Sequence, residues 1–202
     1  MCDAENFFYE DYETWRASRP TLSQERSHPN HWFNRASDLH ASAGAVWYSM
    51  GKQGAVISEE LGLGEGFSMN AACWHVYHML CGLALEVIMK AVLVQRGIPA
   101  KQYETHSFTK LNKLLGIQPS SQETALLSFY ECSLVWSGRY PIPRHVTDEK
   151  LISFYSLASD ILTEPVNISS TSALEFRQAS GTTDWSCFTS LWNKYADLFS
   201  RM

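Results

Sequence analysis

The clearest pair of ionisable side chains in the sequence lies in the middle of a long hydrophobic stretch. Glu86 and Lys90 are four residues apart within residues 74–98. With the acid first, this spacing places the two side chains on one face of a helix in the favourable order for an ion pair. His78 and Gly82 extend the same face toward the N-terminus. The pair therefore predicts either an internal ion pair that fixes helix packing or one wall of a polar groove.

Other spacings in the sequence give no metal or cofactor site. His75 and His78 are about one helical turn apart, as two metal ligands would be, but no third ligand follows at a suitable spacing. The segment Gly62-x-Gly64-x-Gly66 lacks the strand and the Lys-Ser/Thr pair that phosphate-binding glycine loops require. A Gly-x-Ser-x-Gly nucleophile motif is also absent. We therefore expect no metal and no cofactor.

Residues 74–98 are predicted to form one long helix that the other elements surround. Between Met79 and Val94 apolar residues occupy nearly every angular position, which is typical of a helix buried on most sides. Gly97 is expected to end this helix. The stretch is long enough to cross a bilayer, but each of its two charges would cost about 2.5–3.5 kcal/mol at mid-membrane. We therefore expect a core helix and no membrane contact.

The rest of the sequence predicts an all-α, up-and-down bundle of about five core helices with one more helix at the C-terminus. Apolar residues recur at three- and four-residue steps, and no segment shows the alternation of a strand. The other expected helices run from an N-cap at Asn30 to Met50, from about residue 107 to Gly116, from the capping box Ser120–Glu123 to Gly138, from Thr147 to Leu162, and from Asp184 onward. The inward face of the helix after Thr147 is expected to contain Leu151, Ile152, Tyr155, Ala158 and Leu162.

The chain divides into three predicted segments. Residues 1–31 form an acidic arm with several aromatic side chains, which we expect to dock on the bundle or on a second subunit. Residues 32–162 form the bundle, in which the glycine-rich residues 51–67 are a long connection with one short helical turn. Residues 163–202 contain a linker rich in Ser, Thr, Pro and Gly, followed by the C-terminal amphipathic helix.

Composition points to a reducing compartment and to limited basic surface. Five cysteines without a Cys-x-x-Cys pair favour reduced thiols in the cytoplasm. A net charge of −5 argues against a broadly basic nucleic-acid coat. Five cations nevertheless fall between Lys90 and Lys113, against Glu104 alone. This segment predicts either a local basic surface or a solvated helix end.

Residues 83–115 resemble the second helix and the following Thr-His loop of HEPN domains, which are small α-helical bundles tied to nucleotide and RNA chemistry. The resemblance extends over residues 32–162. It implies a HEPN-like bundle that binds or acts on RNA or a nucleotide. The matching residues are Leu85-Glu86, Lys90-Ala91, Arg96-Gly97, Thr105-His106, Leu111 and, after the next helix, Arg139-Tyr140-Pro141.

In the ribonuclease branch of that family, an Arg and a His four to six residues apart open the last core helix, and two such pairs meet across a dimer interface. Arg139 and His145, with five residues between them, are similar to this pattern, which implies that both are catalytic. Imidazole can take a proton from a ribose 2′-hydroxyl, and guanidinium can stabilise the phosphate charge. Tyr140 departs from the pattern, since a polar residue often follows the Arg. The alternative is that Arg139 is the structural Arg of the Arg-Tyr-Pro signature and His145 is an incidental surface residue.

Five residues are expected to contact RNA or a nucleotide. These are Glu86, Lys90, His106, Tyr140 and Arg144. For His106, which follows Thr105 and precedes a helix, the structural interpretation is a helix cap or a loop closed by a backbone hydrogen bond. The functional interpretation is a phosphate or base contact at the mouth of a groove.

These observations leave two functions open. The first is a metal-independent ribonuclease of toxin–antitoxin type, acting as a homodimer with an antitoxin or nucleotidyltransferase partner. The second is a non-catalytic helical module that binds a nucleotide or a protein. The acidic aromatic arm and the departure at Tyr140 favour the second function.

Overall fold

The computed structural model describes residues 12–166 and 176–200. These residues are mostly helical, which confirms the predicted all-α class. The helices, apart from a helical segment at residues 12–18, are α1 (Leu22–Arg26), α2 (Pro29–Met50), α3 (Gly54–Glu60), α4 (Met69–Gln95), α5 (Ala100–Tyr103), α6 (Phe108–Leu115), α7 (Ser121–Cys132), α8 (Asp148–Leu162) and α9 (Trp185–Ala196). A π-helical turn, Ser133–Ser137, continues α7, and a hairpin of β1 (Thr163–Pro165) and β2 (Arg177–Ala179) lies between α8 and α9.

Helix α4 is the axis of the core, as its apolar sequence predicts. It packs along α2 and also contacts α7, the π-helical turn and α9. By length and composition it could cross a membrane, yet 67% of its most apolar window is buried inside the bundle. Gly82 lies where α4 meets α7, and a Cβ atom there would lie 2.6 Å from the carbonyl oxygen of Tyr130. Only glycine permits this close approach of the two helices.

Several predicted helix ends are confirmed because they depend on local signals. Ser120 with Glu123 forms the expected capping box of α7. Helix α4 begins at Met69, five residues before the predicted start at residue 74, and Ser68 caps it by accepting a hydrogen bond from Ala71 N–H. Gly97 ends α4 as predicted: it has φ +70°, and the chain reverses direction there. The predicted N-cap at Asn30 is wrong, because His28 is the N-cap of α2 and its ring nitrogen accepts from Asn30 N–H.

The hairpin and helix α5 were not predicted from the sequence. Strands β1 and β2 pair antiparallel with Thr163 opposite Ala179 and Pro165 opposite Arg177. Three-residue strands are too short to show an alternating pattern. The Arg177 guanidinium also bonds the Thr163 hydroxyl and carbonyl, so a side chain helps to hold the pair. Helix α5 is a single turn after Pro99.

Helix α8 presents a different face to the core from the one predicted. Ile152 and Tyr155, expected to be buried, are 67% and 60% exposed, while Ala158 is buried as expected. The buried face is formed instead by Phe154, Ala158 and Ile161. Apolar residues occupy both sides of this helix, so periodicity alone could not choose between them. The choice depends on the ring of Phe154, which packs against Trp136 and Phe129.

Helix α9 completes the same core rather than lying outside it. The sequence predicts an inward face of Phe188, Leu191, Trp192, Tyr195 and Phe199, and all five are buried, Phe188 and Tyr195 with no exposed surface. The Tyr195 hydroxyl donates a hydrogen bond to Asn112 Oδ1 at 3.0 Å. The ring of His40, on α2, stacks on Trp192. Residues 163–200, which the sequence places after the bundle, therefore contribute a central helix to it.

The first eleven residues, which carry most of the acids of the predicted arm, lie outside the described residues. Of the arm's other aromatic side chains, Tyr12 and Trp15 are 53% and 50% exposed and stack on each other. Arg19 lies over the Trp15 ring at 4.1 Å. Among the described residues, the rings of Tyr12 and Trp15 therefore contact other residues of the arm.

Candidate functional site

The Glu86 carboxylate is a buried charge at the centre of a small polar cluster. Its side chain is 6% exposed and that of Lys90 is 11% exposed. Lys90 Nζ donates to Glu86 Oε1 at 2.6 Å, which is the helical ion pair that the four-residue spacing predicts. A carboxylate taken out of water needs such partners, because an unpaired buried charge is strongly destabilising. The pair therefore lies inside the scaffold, with one edge near the surface.

His106 is the second partner of the same carboxylate. Its Nδ1 lies 2.8 Å from Glu86 Oε2, although the His106 side chain is 63% exposed. An ionised carboxylate can only accept, so Nδ1 carries the hydrogen and Nε2 is the second, outward nitrogen of an exposed ring. The sequence offered a helix cap or a backbone contact for His106. Neither occurs, because its partner is a side chain twenty residues earlier in the chain.

The loop around His106 is held by further contacts. Thr105 Oγ1 accepts a hydrogen bond from Ser107 N–H at 3.1 Å. Glu131, on α7, accepts one from Phe108 N–H at 2.7 Å and so caps the start of α6 from a neighbouring helix. The position of His106 is therefore fixed by the hydrogen bond between its ring and Glu86, and by the backbone hydrogen bonds of the two residues that follow it.

Three lysines lie on the elements that flank His106. Lys101 is on α5, and Lys110 and Lys113 are on α6; all three are exposed. Arg96 lies in the same basic stretch, but its guanidinium donates to the Leu115 carbonyl at 2.9 Å. The predicted basic segment therefore supplies solvent-facing positive charge on both sides of His106 along the chain.

The polar groove expected from His78 and Gly82 is not present. His78 is 2% exposed and lies among aromatic rings, with Trp74 at 4.5 Å and Phe129 at 5.0 Å between ring centroids. Burial lowers the pKa of His78 to about 3, and the nearby His75 acts in the same direction. Gly82 lies against α7, so that part of the predicted stripe is core.

Arg139 and Tyr140 lie together at a separate pocket. The Arg139 guanidinium donates to the Val135 carbonyl at 2.5 Å and lies 5.7 Å from the Tyr140 ring centre. Both residues line a pocket of about 420 Å³, and neither Arg144 nor His145 is part of that lining. The lining residues are His75, Trp136, Ser137, Gly138, Arg139, Tyr140, Pro141, Phe154 and Tyr155.

Arg144 and His145 are exposed residues of the linker before α8. His145 has φ +56°, an uncommon backbone conformation for a residue other than glycine. Its carbonyl accepts a hydrogen bond from Lys150 Nζ at 3.0 Å. Of the seven residues predicted from the sequence, the structure thus joins Glu86, Lys90 and His106 in one cluster and Arg139 with Tyr140 in another.

Glu131 is not among the predicted site residues, although its carboxylate joins α7 to the start of α6. It is one helical turn after the buried Leu127, so a charge on the inward side of α7 was the available signal. Within residues 12–166 and 176–200, no group of three or more His, Cys, Asp or Glu side chains could hold a metal ion.

Comparison with known proteins identifies no relative of this chain. No protein-family model, curated protein or solved structure matches the chain. The resemblance to HEPN domains remains a prediction that depends on the sequence motifs described above.

Proposed function

We propose that this chain binds RNA, or a nucleotide related to it, around His106, and that His106 transfers a proton in metal-independent cleavage of the phosphodiester. One observation carries the proposal. A buried carboxylate, Glu86, holds an exposed imidazole through Nδ1 and leaves Nε2 on the solvent side. An orienting carboxylate of this kind fixes the tautomer of a histidine and stabilises the imidazolium that forms when it takes a proton.

The chemistry follows from that arrangement. Nε2 can accept the proton of a ribose 2′-hydroxyl as the hydroxyl oxygen attacks the adjacent phosphorus and the bond between phosphorus and the 5′-oxygen breaks. The 5′-oxygen leaves with a proton taken from water, and the products are a 2′,3′-cyclic phosphate and a 5′-hydroxyl. Glu86 then faces a positively charged ring at 2.8 Å, while Lys90 continues to balance the carboxylate. The exposed Lys101 and Lys110 attract a polyanion toward the same loop.

Self-association is part of the proposal. Tyr140, Ile142, Ile152 and Tyr155 are all more than half exposed, and they belong to the linker before α8 and to α8 itself. A monomer rarely leaves several large apolar side chains open on neighbouring segments unless they contact a partner. In a HEPN-like dimer this face would bring the linkers of two copies together, with Arg139 from each.

The test is an RNA cleavage assay on purified wild-type protein, His106→Ala and His145→Ala, with His31→Ala as the matched control. His31 is an exposed histidine that belongs to neither cluster. We expect His106→Ala to lower the rate about 10²- to 10⁴-fold and His31→Ala to leave it unchanged. Cleavage should survive a chelator and leave a 2′,3′-cyclic phosphate, since the attacking oxygen is internal. Wild-type rates in His106→Ala would refute the role of His106, and a loss confined to His145→Ala would place the chemistry in the linker.

A second candidate function is a non-catalytic binding module. It is favoured by Arg139, whose guanidinium donates to the Val135 carbonyl in the preceding π-helical turn and lies near the neighbouring Tyr140 ring. These contacts are those of a structural arginine. Binding of RNA or a nucleotide by the wild-type protein without any cleavage would support this candidate over the first.

A further inference from the structure

A groove between α6 and α7 borders the His106 loop. Its volume is about 500 Å³, within the range of about 300–1,000 Å³ typical of small-molecule sites. Phe108 lines it, and the two residues of chain from His106 to Phe108 can span at most about 7 Å. The lining residues are Phe108, Thr109, Asn112, Lys113, Gly116, Ile117, Gln118, Pro119, Thr124, Leu127, Ser128 and Glu131.

Glu131 is the acidic residue that lines this groove, and its carboxylate can accept more hydrogen bonds than the one it has. Its Oε2 accepts the Phe108 N–H, while no Lys, Arg or His among the described residues forms an ion pair with it. Lys113 lines the same groove without reaching the carboxylate. A half-buried carboxylate with spare acceptor capacity favours a ligand that presents hydrogen-bond donors.

Three other polar side chains of the groove, those of Asn112, Thr124 and Ser128, donate hydrogen bonds within the protein. Asn112 donates to the Phe108 carbonyl and accepts from the Tyr195 hydroxyl. The hydroxyls of Thr124 and Ser128 donate to backbone carbonyls one turn earlier in or before α7. They therefore contribute shape, and Glu131 contributes the acidic contact.

We infer that this groove is a base subsite for guanine, adjacent to the phosphate at His106, with Glu131 accepting from the N1–H and N2–H₂ edge. The inference rests on the proposed function, because it is the RNA or nucleotide phosphate that brings a base to this position. Guanine is the base that presents two adjacent donors on that edge. Adenine and cytosine place a ring-nitrogen acceptor beside their donor, which the carboxylate repels, and uracil has a single donor between two carbonyls.

The groove walls fit the rest of the base. Ile117 and Pro119 are half-buried, so they offer apolar surface to the ring faces. Lys113 is exposed at the rim and can reach either the guanine O6 or a phosphate oxygen. The subsite therefore combines apolar walls with one acidic and one basic contact.

The experiment is a calorimetric titration of the full chain with GMP, IMP and AMP. Wild-type protein should bind GMP about fivefold or more tightly than AMP, since one bidentate contact discriminates between bases to at least that extent. IMP lacks the 2-amino group and should fall between them. In Glu131→Gln, an amide oxygen can still accept the Phe108 N–H, so folding is retained while GMP affinity drops to that of AMP. Glu104→Gln, at an exposed position outside the groove, is the matched control and should keep the preference.

Equal affinities for the three nucleotides, or a GMP preference that survives Glu131→Gln, would overturn the base subsite. The proposed function fails separately, since it depends on His106. RNA cleavage with no base preference would retain the function and reject the subsite. A Glu131-dependent GMP preference in a protein that cleaves no RNA would retain the subsite and reject the cleavage.

Discussion

Acidification should destabilise this protein through His78 at a pH where most carboxylates are still ionised. The imidazole is 2% exposed, and its Nε2 has no hydrogen-bond partner among the described residues. Burial lowers its pKa from 6.5 to about 3 in the folded state. In the unfolded chain His78 is protonated below pH 6.5, whereas in the folded chain it stays neutral down to about pH 3. Stability contributed by neutral His78 is therefore complete above pH 6.5 and is lost as the pH falls toward 3.

The magnitude follows from the interval between the two pKa values. Each pH unit below the unfolded pKa costs about 1.4 kcal/mol. Between pH 7 and pH 5 the loss due to His78 should be about 2 kcal/mol, and it approaches about 5 kcal/mol below pH 3. His40, whose pKa is also lowered by burial, adds a smaller loss in the same direction.

The assay is urea unfolding followed by tryptophan fluorescence at pH 7, 6 and 5, for wild-type protein and His78→Leu. Leucine cannot titrate, so the variant should lose about 2 kcal/mol less than wild type between pH 7 and pH 5, whatever its stability at pH 7. The comparison of slopes removes any cavity cost of the substitution. Identical pH dependence in the two proteins would mean that His78 is protonated in the folded state or is hydrated, and it would refute the reasoning.

Three further predictions concern packing and assembly. Lys90→Met should lower the free energy of unfolding by about 3 kcal/mol, because it leaves buried Glu86 with an exposed imidazole as its partner. The double variant Lys90→Met/Glu86→Leu should recover much of this loss, and a double variant no more stable than Lys90→Met would contradict the buried ion pair. Ile152→Glu should convert a dimer into a monomer in light scattering at micromolar concentration, and a monomeric wild type would refute self-association through this face. Gly82→Ala should cost about 1–3 kcal/mol in urea unfolding, because its Cβ meets the Tyr130 carbonyl, and an unchanged urea midpoint would show that α4 and α7 can separate freely.

The parts of the fold that follow from short-range signals could be predicted from the sequence. The capping box at Ser120 and the glycines at 97 and 116 mark helix ends through contacts within a few residues. The face of α8 could not be predicted, since apolar side chains lie on both of its sides and the deciding contact is with the ring of Phe154. Propensity and periodicity carry no information about which neighbour a helix meets.

In the candidate site, too, contacts within one helix could be predicted from the sequence, whereas contacts between distant segments could not. The Glu86–Lys90 pair follows from helical spacing and was predicted. His106 was predicted as a site residue, but its contact with Glu86 joins positions twenty residues apart across a loop, which spacing does not reveal. Glu131 is a single acid in the last turn of α7, and its role depends on where α6 begins beside it.

The position of α9 has a consequence for how the protein is made. His40 Nε2 lies 3.3 Å from the Thr189 hydroxyl, and 149 residues separate the two positions in the chain. At a synthesis rate of about 5–20 residues per second, about 7 to 30 seconds pass between the addition of these two residues. Until that part of the chain is made, Phe33 lacks its contact with Trp192 on α9. Tyr77 likewise lacks the Thr183 carbonyl, just before α9, to which its hydroxyl donates in the folded protein. A nascent chain of this protein is therefore exposed to aggregation until α9 has been translated, and a chain truncated before Trp185 would lack the helix that completes this core.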